Sequence, residues 1–428
     1  MKSFYKRLFI IFLLIVILFS TNITFAVDNE PNLQSRAAIL MDNKTNKILY
    51  DKNSNERMFP ASTTKIVTAI LALENCNLDD TVTASYDAIM SIPEGYVMAN
   101  IDGGEQLTVE QLLQLLLVHS ANDAANVLAE YVGGSIESFV SMMNTKVNEL
   151  GLNDTHFTNT YGLQDENHYT TAHDLAIIMQ YCMKNDDFRK IAGSASCSIP
   201  ATNKSDVRSY VSTNELLVPN SPNYYSYVTM GKTGFTTEAG DCLVSCAYKN
   251  DLELICVVLG GTKINGVSTR FTESKLLYEY GFNNFSIKNI VNTGDIITQI
   301  KVKNGSPDTQ NLDLAFENDI SALVKNSEFD TNLLPDIFIN DNISAPISKG
   351  DVLGSAVYTI DDVKYETNLV ATHNVEKSKL PDFIIKIILV MIMLIGTYLI
   401  FFTNRRKKQQ IETNNIDAEI SKEAEDDN

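Results

Sequence analysis

Three short motifs, in this order along the chain, hold the residues with the most chemistry to offer: Ser62-Thr63-Thr64-Lys65, Ser120-Ala121-Asn122 and Lys232-Thr233-Gly234. Each is weak alone, because Ser3 to Lys6 also fits S-x-x-K, and Ser212 to Asn214 and Ser221 to Asn223 fit S-x-N. Context strengthens them. Ser62 follows Met58-Phe59-Pro60-Ala61 and opens a helical run, so Ser62 and Lys65, three apart, share a face. Ser120 ends an apolar helix before another begins, and Lys232-Thr233-Gly234 lies on a strand whose side chains can line a cleft rim. The set fits acyl transfer by an active-site serine. An unassisted serine hydroxyl is a poor nucleophile and needs a base within hydrogen-bond reach. No His–Asp pair lies nearby, which leaves Lys65. A lysine serves only if its pKa falls well below that of a free amine, and burial and a second cation such as Lys232 both promote this. The backbone N–H at a helix start is a ready oxyanion donor, and Ser62 occupies such a place.

These residues need elements to hold them. Residues 37–50 alternate around Asp42-Asn43-Lys44-Thr45-Asn46, which predicts a β-hairpin. Helical patterns dominate from Ser62 to about Lys190, with Leu112, Leu113, Leu116 and Leu117 making an apolar helix just before His119-Ser120. Strand patterns return near 226–260 in YVTMGKTG, DCLVSCAYKN and LELICVVLGG, the last two joined at Lys249-Asn250-Asp251 as a hairpin. A helix follows over about Ser268 to Tyr280. Strands at both ends with helices between predict an α/β (α+β) domain over 27–284, one sheet covered by helical layers. From 285 to 372 short alternating segments such as IITQIKVKNG and DVLGSAVYTI are separated by Gly, Asn and Asp, predicting a small all-β domain. Residues 373–382 read as a linker, and no internal repeat is present.

The chain has 428 residues, 44% hydrophobic and 20% charged, with a formal net charge of −19. That length suffices for two or three domains with cores of their own. A mean hydropathy of −0.06 excludes a polytopic membrane protein and a chain that is disordered as a whole. The acidity argues against nucleic acid, whose phosphates need a basic face. Residues 1–26 read as a signal peptide: Lys2, Lys6 and Arg7 precede an apolar run from Leu8 to Phe19, and Thr24-Phe25-Ala26 offers small residues at a cleavage site. Its removal takes away those three positive charges and leaves the mature chain at −22. A second apolar stretch, Phe383 to Phe402, would reach about 30 Å as a helix, the thickness of a bilayer core. Arg405, Arg406, Lys407 and Lys408 follow it, and positive flanks stay cytoplasmic. These signals predict an exported body on the outer face of the cell membrane, held by a single-pass helix over 383–402, with 403–428 a disordered polar cytoplasmic tail. The six cysteines form no disulfide framework, and Cys242 and Cys246 read as small buried residues of one strand face. The five histidines lack ligand spacing, so neither a metal site nor a cofactor is expected.

The stretch from about Ala37 to Phe282 resembles the low-molecular-mass penicillin-binding proteins, specifically the serine D-alanyl-D-alanine carboxypeptidases of peptidase family S11. The likeness runs through ASTTKIVTA, GGEQLTVEQLLQLLLVHSANDAANVLAE, FVSMMNTKVNELGLNDTHFTNTYGL, TTAHDLAII, GKTGFTTEAG and TESKLLYEYGF. It implies a serine β-lactamase/penicillin-binding-protein-like domain built on an antiparallel sheet, with the β domain as a stalk. It implies that Ser62 attacks the D-Ala–D-Ala bond ending a peptidoglycan stem peptide, that Lys65 accepts the serine proton, and that Ser120 relays a proton to the departing D-Ala. Asn122 would bind the substrate backbone, Lys232 and Thr233 its carboxylate, and the N–H groups of Ser62 and Phe235 its oxyanion. Water would then hydrolyse the acyl-enzyme, and β-lactams would trap the same serine. Two departures bear on affinity: Phe235 stands where some relatives carry His, and Thr213 where some place a carboxylate-binding Arg, whereas Arg270 matches the family's other carboxylate-proximal Arg. His168 falls where relatives carry a His near the cleft, but it reads first as an ordinary loop histidine. Asp174 reads as a helix N-terminal residue and His119 as structural.

Rival readings are weaker. A P-loop would need Gly at position 226, which is Ser226. A class A β-lactamase would need a water-activating Glu, and no E-x-x-L-N segment is present. A D,D-endopeptidase acting on cross-links shares the motifs. A catalytically inactive wall-binding scaffold has no need of Ser62, Lys65, Ser120 and Lys232 together.

Overall fold

The computed structural model describes residues 30–425, so the basic and apolar leader over 1–26 lies outside the described residues. The chain divides into two compact units, one running to Ile287 and including Leu323–Phe329, the other made of Lys288–Ala322 and the chain from Asp330.

The first unit is built on a five-stranded sheet of β1 (Ala37–Asp42), β2 (Ile48–Lys52), β3 (Val228–Thr236), β4 (Gly240–Lys249) and β5 (Leu252–Gly261). The spatial order is β2, β1, β5, β4, β3, and every neighbouring pair is antiparallel. β1 is buried along its whole length. Its side chains alternate between two cores, since period-two geometry sends successive residues to opposite faces. Ile39 and Met41 join Ile255 and Val257 against helices Lys65–Asn75, Asn122–Gly133 and Ala172–Cys182. Ala38 and Leu40 join Leu254, Cys256 and Val258 against Phe271, Leu277 and Tyr278 of the helix Thr269–Asn284. The sheet is therefore covered on both faces, and a strand in that position needs the unbroken apolar run that β1 carries.

Two elements differ from the sequence expectation in ways that matter. The helix expected to end near Tyr280 runs on to Asn284. Gly281 does not stop it; it lets the helix cross the sheet closely, because a Cβ there would lie 2.7 Å from Leu254 and 2.8 Å from Leu40. The apolar segment before Ser120 begins as an α-helix, Val109–Gln114, and widens into one π-turn over Leu115–His119. Such turns collect at functional sites.

In the second unit a five-stranded antiparallel sheet is ordered Ile296–Lys301, Asn311–Phe316, Val363–Ala371, Val352–Ile360, Asp336–Ile339. Leu312, Leu314, Phe316, Ala356, Tyr358 and Leu369 fill its core. The segment read as a linker is tied into this unit as far as Ser378: Val375 is buried and bridges Ile347, Lys377 bridges Gly305, and Ser378 N donates to Asn304 O at 2.7 Å. A helix then runs from Leu380 to Glu425. It is long and apolar enough over part of its length to cross a membrane. The polar stretch after 402, expected as a disordered tail, continues this helix, since good helix formers follow one another there with no Pro or Gly.

The approach to Ser62 shows the tightest backbone packing. Ala61 is held in the left-handed region at φ +47°. Gly162, at φ +95°, lies so close that a Cβ on it would fall 1.8 Å from Ala61 O. Gly162→Ala should therefore destabilise the first unit by on the order of 3–5 kcal/mol, through both its φ and the clash. Its thermal transition should drop by roughly 10 °C, measured by calorimetry.

Candidate active site

Ser62 lies in a 3₁₀ turn, Ala61–Thr64, which passes directly into the helix Lys65–Asn75. In a 3₁₀ turn residues three apart eclipse one another. This stacks Lys65 over Ser62 more closely than an α-helix would, and Lys65 Nζ lies 2.8 Å from Ser62 Oγ. The same nitrogen donates to Asn122 Oδ1 at 2.6 Å and to the backbone carbonyl of Tyr161 at 2.9 Å. A neutral amine has two hydrogens and one lone pair. The two carbonyl oxygens take the hydrogens, and the lone pair is left facing the serine hydroxyl. Burial is complete and pushes Lys65 well below the usual lysine range, with the Lys232 charge adding to the effect and Asp123 opposing it.

A second lysine–serine pair stands across the cleft. Ser120 closes the π-turn in a left-handed conformation, φ +70° and ψ +29°. Lys232 comes from β3, the outer strand of the sheet, and its Nζ donates to Ser120 Oγ at 2.8 Å and to Thr233 O at 2.9 Å. It is fully buried, and burial with the nearby Arg270 charge lowers its pKa to about 7. Two residues after Ser120, Asn122 opens the helix Asn122–Gly133, which turns its side chain to Lys65.

The remaining expected residues fall around these pairs. Thr233 Oγ1 lies 2.6 Å from Thr213 Oγ1, so a pair of hydroxyls occupies the place where an Arg at position 213 would put a charge. Arg270 donates from Nη1 to Gly234 O at 2.9 Å and approaches Asp241 at 3.5 Å. Its guanidinium is engaged with β3 and supplies field to Lys232 from there. Phe235 turns its ring outward, 60% exposed, while its backbone stays on the outer strand. Gly234 lets that strand pass close to Ser62, since a Cβ on it would lie 2.9 Å from Ser62 N. Asp174 accepts from Thr155 Oγ1 at 2.7 Å, and its N–H is capped by Thr171. His119 stacks on Tyr210 at 3.9 Å. Both are structural.

Residues missed from sequence are mostly those whose contribution is backbone or charge satisfaction. Tyr161 acts through its carbonyl, for which side-chain identity gives no signal. Asp123 is buried and accepts backbone N–H groups of Ala99, Ile101 and Ala124, each at 3.0 Å, so it anchors the rim loop beside Asn122. The clue to it was local: an acid in the first turn of a helix beside S-x-N. No group of His, Cys, Asp and Glu among the described residues is arranged to hold a metal ion.

Comparison with known proteins points one way. Residues 24–263 match the Peptidase S11 family, described as D-alanyl-D-alanine carboxypeptidase, and residues 285–377 match the C-terminal domain of penicillin-binding protein 5. The chain is 33% identical over 352 residues to D-alanyl-D-alanine carboxypeptidase DacF of Bacillus subtilis, covering 81% of this chain and 87% of the relative. It is 29% identical over 348 residues to DacA of Escherichia coli, covering 79% and 83%. Its fold resembles that of penicillin-binding protein 5 from Haemophilus influenzae, with a TM-score of 0.62 and 30% identity over 82% of this chain and 99% of that one.

His168 resolves into a buttress. Its Nδ1 accepts from Thr158 N at 3.0 Å, so Nε2 carries the proton and donates to Thr64 Oγ1 at 2.8 Å. Thr64 Oγ1 in turn donates to Ala61 O at 2.8 Å. Burial lowers the pKa of His168 to about 3, which keeps this chain of bonds neutral. Because the folded value lies below the unfolded one, the unfolded chain binds the extra proton between about pH 3 and 6.5, and acid erodes stability across that window. His168→Ala should lower stability by about 2–4 kcal/mol near neutral pH. The gap from wild type should narrow as pH falls from 6.5 toward 3, followed by urea unfolding at each pH.

Proposed function

Because the chain belongs to the S11 family of D-alanyl-D-alanine carboxypeptidases, serine hydrolases of peptidoglycan metabolism, we propose that its cleft removes the terminal D-Ala from stem pentapeptides through an acyl-enzyme on Ser62. The observation that carries this reading is Lys65 Nζ, buried 2.8 Å from Ser62 Oγ with two carbonyl acceptors for the hydrogens of its neutral form.

In the acylation step Lys65 Nζ takes the proton of Ser62 as Oγ bonds to the carbonyl carbon of the penultimate D-Ala. The oxyanion meets the N–H of Ser62, an orphan donor of the first helical turn, and that of Phe235 on the outer strand. The C–N bond then breaks. Ser120 Oγ accepts from Lys232, gives its own proton to the departing amine and is reprotonated by the proton that Lys65 took from Ser62, which restores the neutral amine. Water, deprotonated by the restored Lys65, attacks the ester carbonyl, and Lys65 returns the proton to Ser62 Oγ as the ester C–O bond breaks and the shortened peptide leaves. Lys232, Thr233 and Thr213 receive the substrate carboxylate, Arg270 adds positive field from behind β3, and Asn122 meets the substrate amide. A β-lactam would acylate the same oxygen. The apolar helix after Leu380 would hold the body on the outer face of the membrane, with the β unit as a stalk.

Two measurements test the reading. Purified full-length chain should release D-alanine from a pentapeptide ending in D-Ala–D-Ala, and Ser62→Ala should lose essentially all of that release, together with covalent labelling by a fluorescent penicillin. Release confined to cross-linked dimers would instead identify an endopeptidase. The pH profile of kcat/KM should fall on the acid side as Lys65 protonates, and on the alkaline side from about pH 7 as Lys232 loses the charge that binds carboxylate. Lys232→Arg should remove the alkaline fall, since a guanidinium stays charged.

A further inference from the structure

Resting on the carboxypeptidase reading, the cleft has a direction. The substrate carboxylate lies at Lys232 and Thr233 and the oxyanion at Phe235 N–H, so the rest of the peptide continues along β3 toward its end at Thr236. β3 is the outer strand, and its free edge accepts an extended chain that advances about 3.3 Å per residue. The turn after β3 leads to a cavity of about 440 Å³ lined by Phe59, Tyr169, Arg36, Arg57, Glu166 and Glu238.

The charges in this cavity are unequal in availability. Arg57 is held by Asp154 at 2.8 Å and lies over the Tyr169 ring at 4.4 Å, and Arg36 is paired with Glu56. Among the described residues, Glu166 and Glu238 make no hydrogen bond and no ion pair, and both are exposed. Two carboxylates without partners therefore line a cavity that also carries two aromatic rings, on the path that the proposed reaction sets for the substrate. Phe59 and Tyr169 suit an alkyl chain, and the carboxylates suit the cation at its end. We propose that this cavity is a subsite for a cationic side chain of the stem peptide, an ammonium on the residue immediately before the D-Ala–D-Ala pair, received by Glu166 and Glu238.

The test compares two pentapeptides that end in D-Ala–D-Ala and differ only at the third residue, L-lysine in one and Nε-acetyl-L-lysine in the other. With the full-length chain the lysyl peptide should have a kcat/KM about five-fold higher, chiefly through KM, and high salt should shrink the difference. In the double variant Glu166→Gln, Glu238→Gln the ratio should fall to about one, and in Glu166→Lys, Glu238→Lys the order should reverse. Equal wild-type rates on the two peptides would overturn the subsite and leave the carboxypeptidase reading standing. Release from neither peptide would overturn both.

Discussion

One nitrogen atom sets the terms for the rest of the molecule. Lys65 Nζ is shut away from water and given two carbonyl acceptors and one hydroxyl. An ammonium there would have no carboxylate in direct contact, so the amine is the form the site favours. Holding an uncharged lysine beside a serine demands burial on every side. The central helix Lys65–Asn75 is accordingly buried from Lys65 through Ala72, and three other segments converge on its first turn. Tyr161 arrives from a loop, Asn122 from a second helix, and Gly234 from the outer strand. The strained conformations at Ala61 and Ser120 follow from the same demand, because a relaxed backbone at either place would turn an oxygen away from its lysine.

The electrostatic design is one of contrast. A chain at −19 carries a cleft with two buried lysines, Lys65 and Lys232, and a half-buried arginine, Arg270. Each cation depresses another: Arg270 acts on Lys232, and Lys232 on Lys65. The series grades from a guanidinium that keeps its charge, through an amine near half-protonation at neutral pH, to an amine that is a base. In the proposed reaction one substrate end needs positive charge and the reacting end needs a proton acceptor. The same residue type supplies both because its surroundings differ.

Much of this was legible in the residues, and the illegible part has a physical character. The three motifs, the strands around them and the apolar helix beneath them all carry side-chain patterns, and those were readable. Tyr161 contributes a carbonyl that any residue owns. Ala61 gives no hint of a positive φ, since alanine has no preference for it. Gly162 is one glycine among 20, and only the carbonyl packed against it explains its presence. His168 was placed near the cleft by resemblance, but its neutral tautomer is fixed by Thr158 and Thr64, which belong to different segments. In the second unit, residues 373–378 look like spacer because their pairing partners, Ile347 and Gly305, lie far away in sequence.

The order of the strands has a consequence for when this chemistry exists. β1, near the start of the described chain, lies between β2 and β5, and Lys232 reaches the cleft only from a strand paired through β4 to β5. Until residue 261 is in place the sheet cannot close, and Lys65 remains a solvated amine with a pKa of about 10.4. Such a lysine is protonated, and the serine beside it is silent. On the proposed mechanism folding itself is thus the activation step: the unfolded chain is a latent hydrolase, and Ser62 gains its base only once the whole domain has assembled.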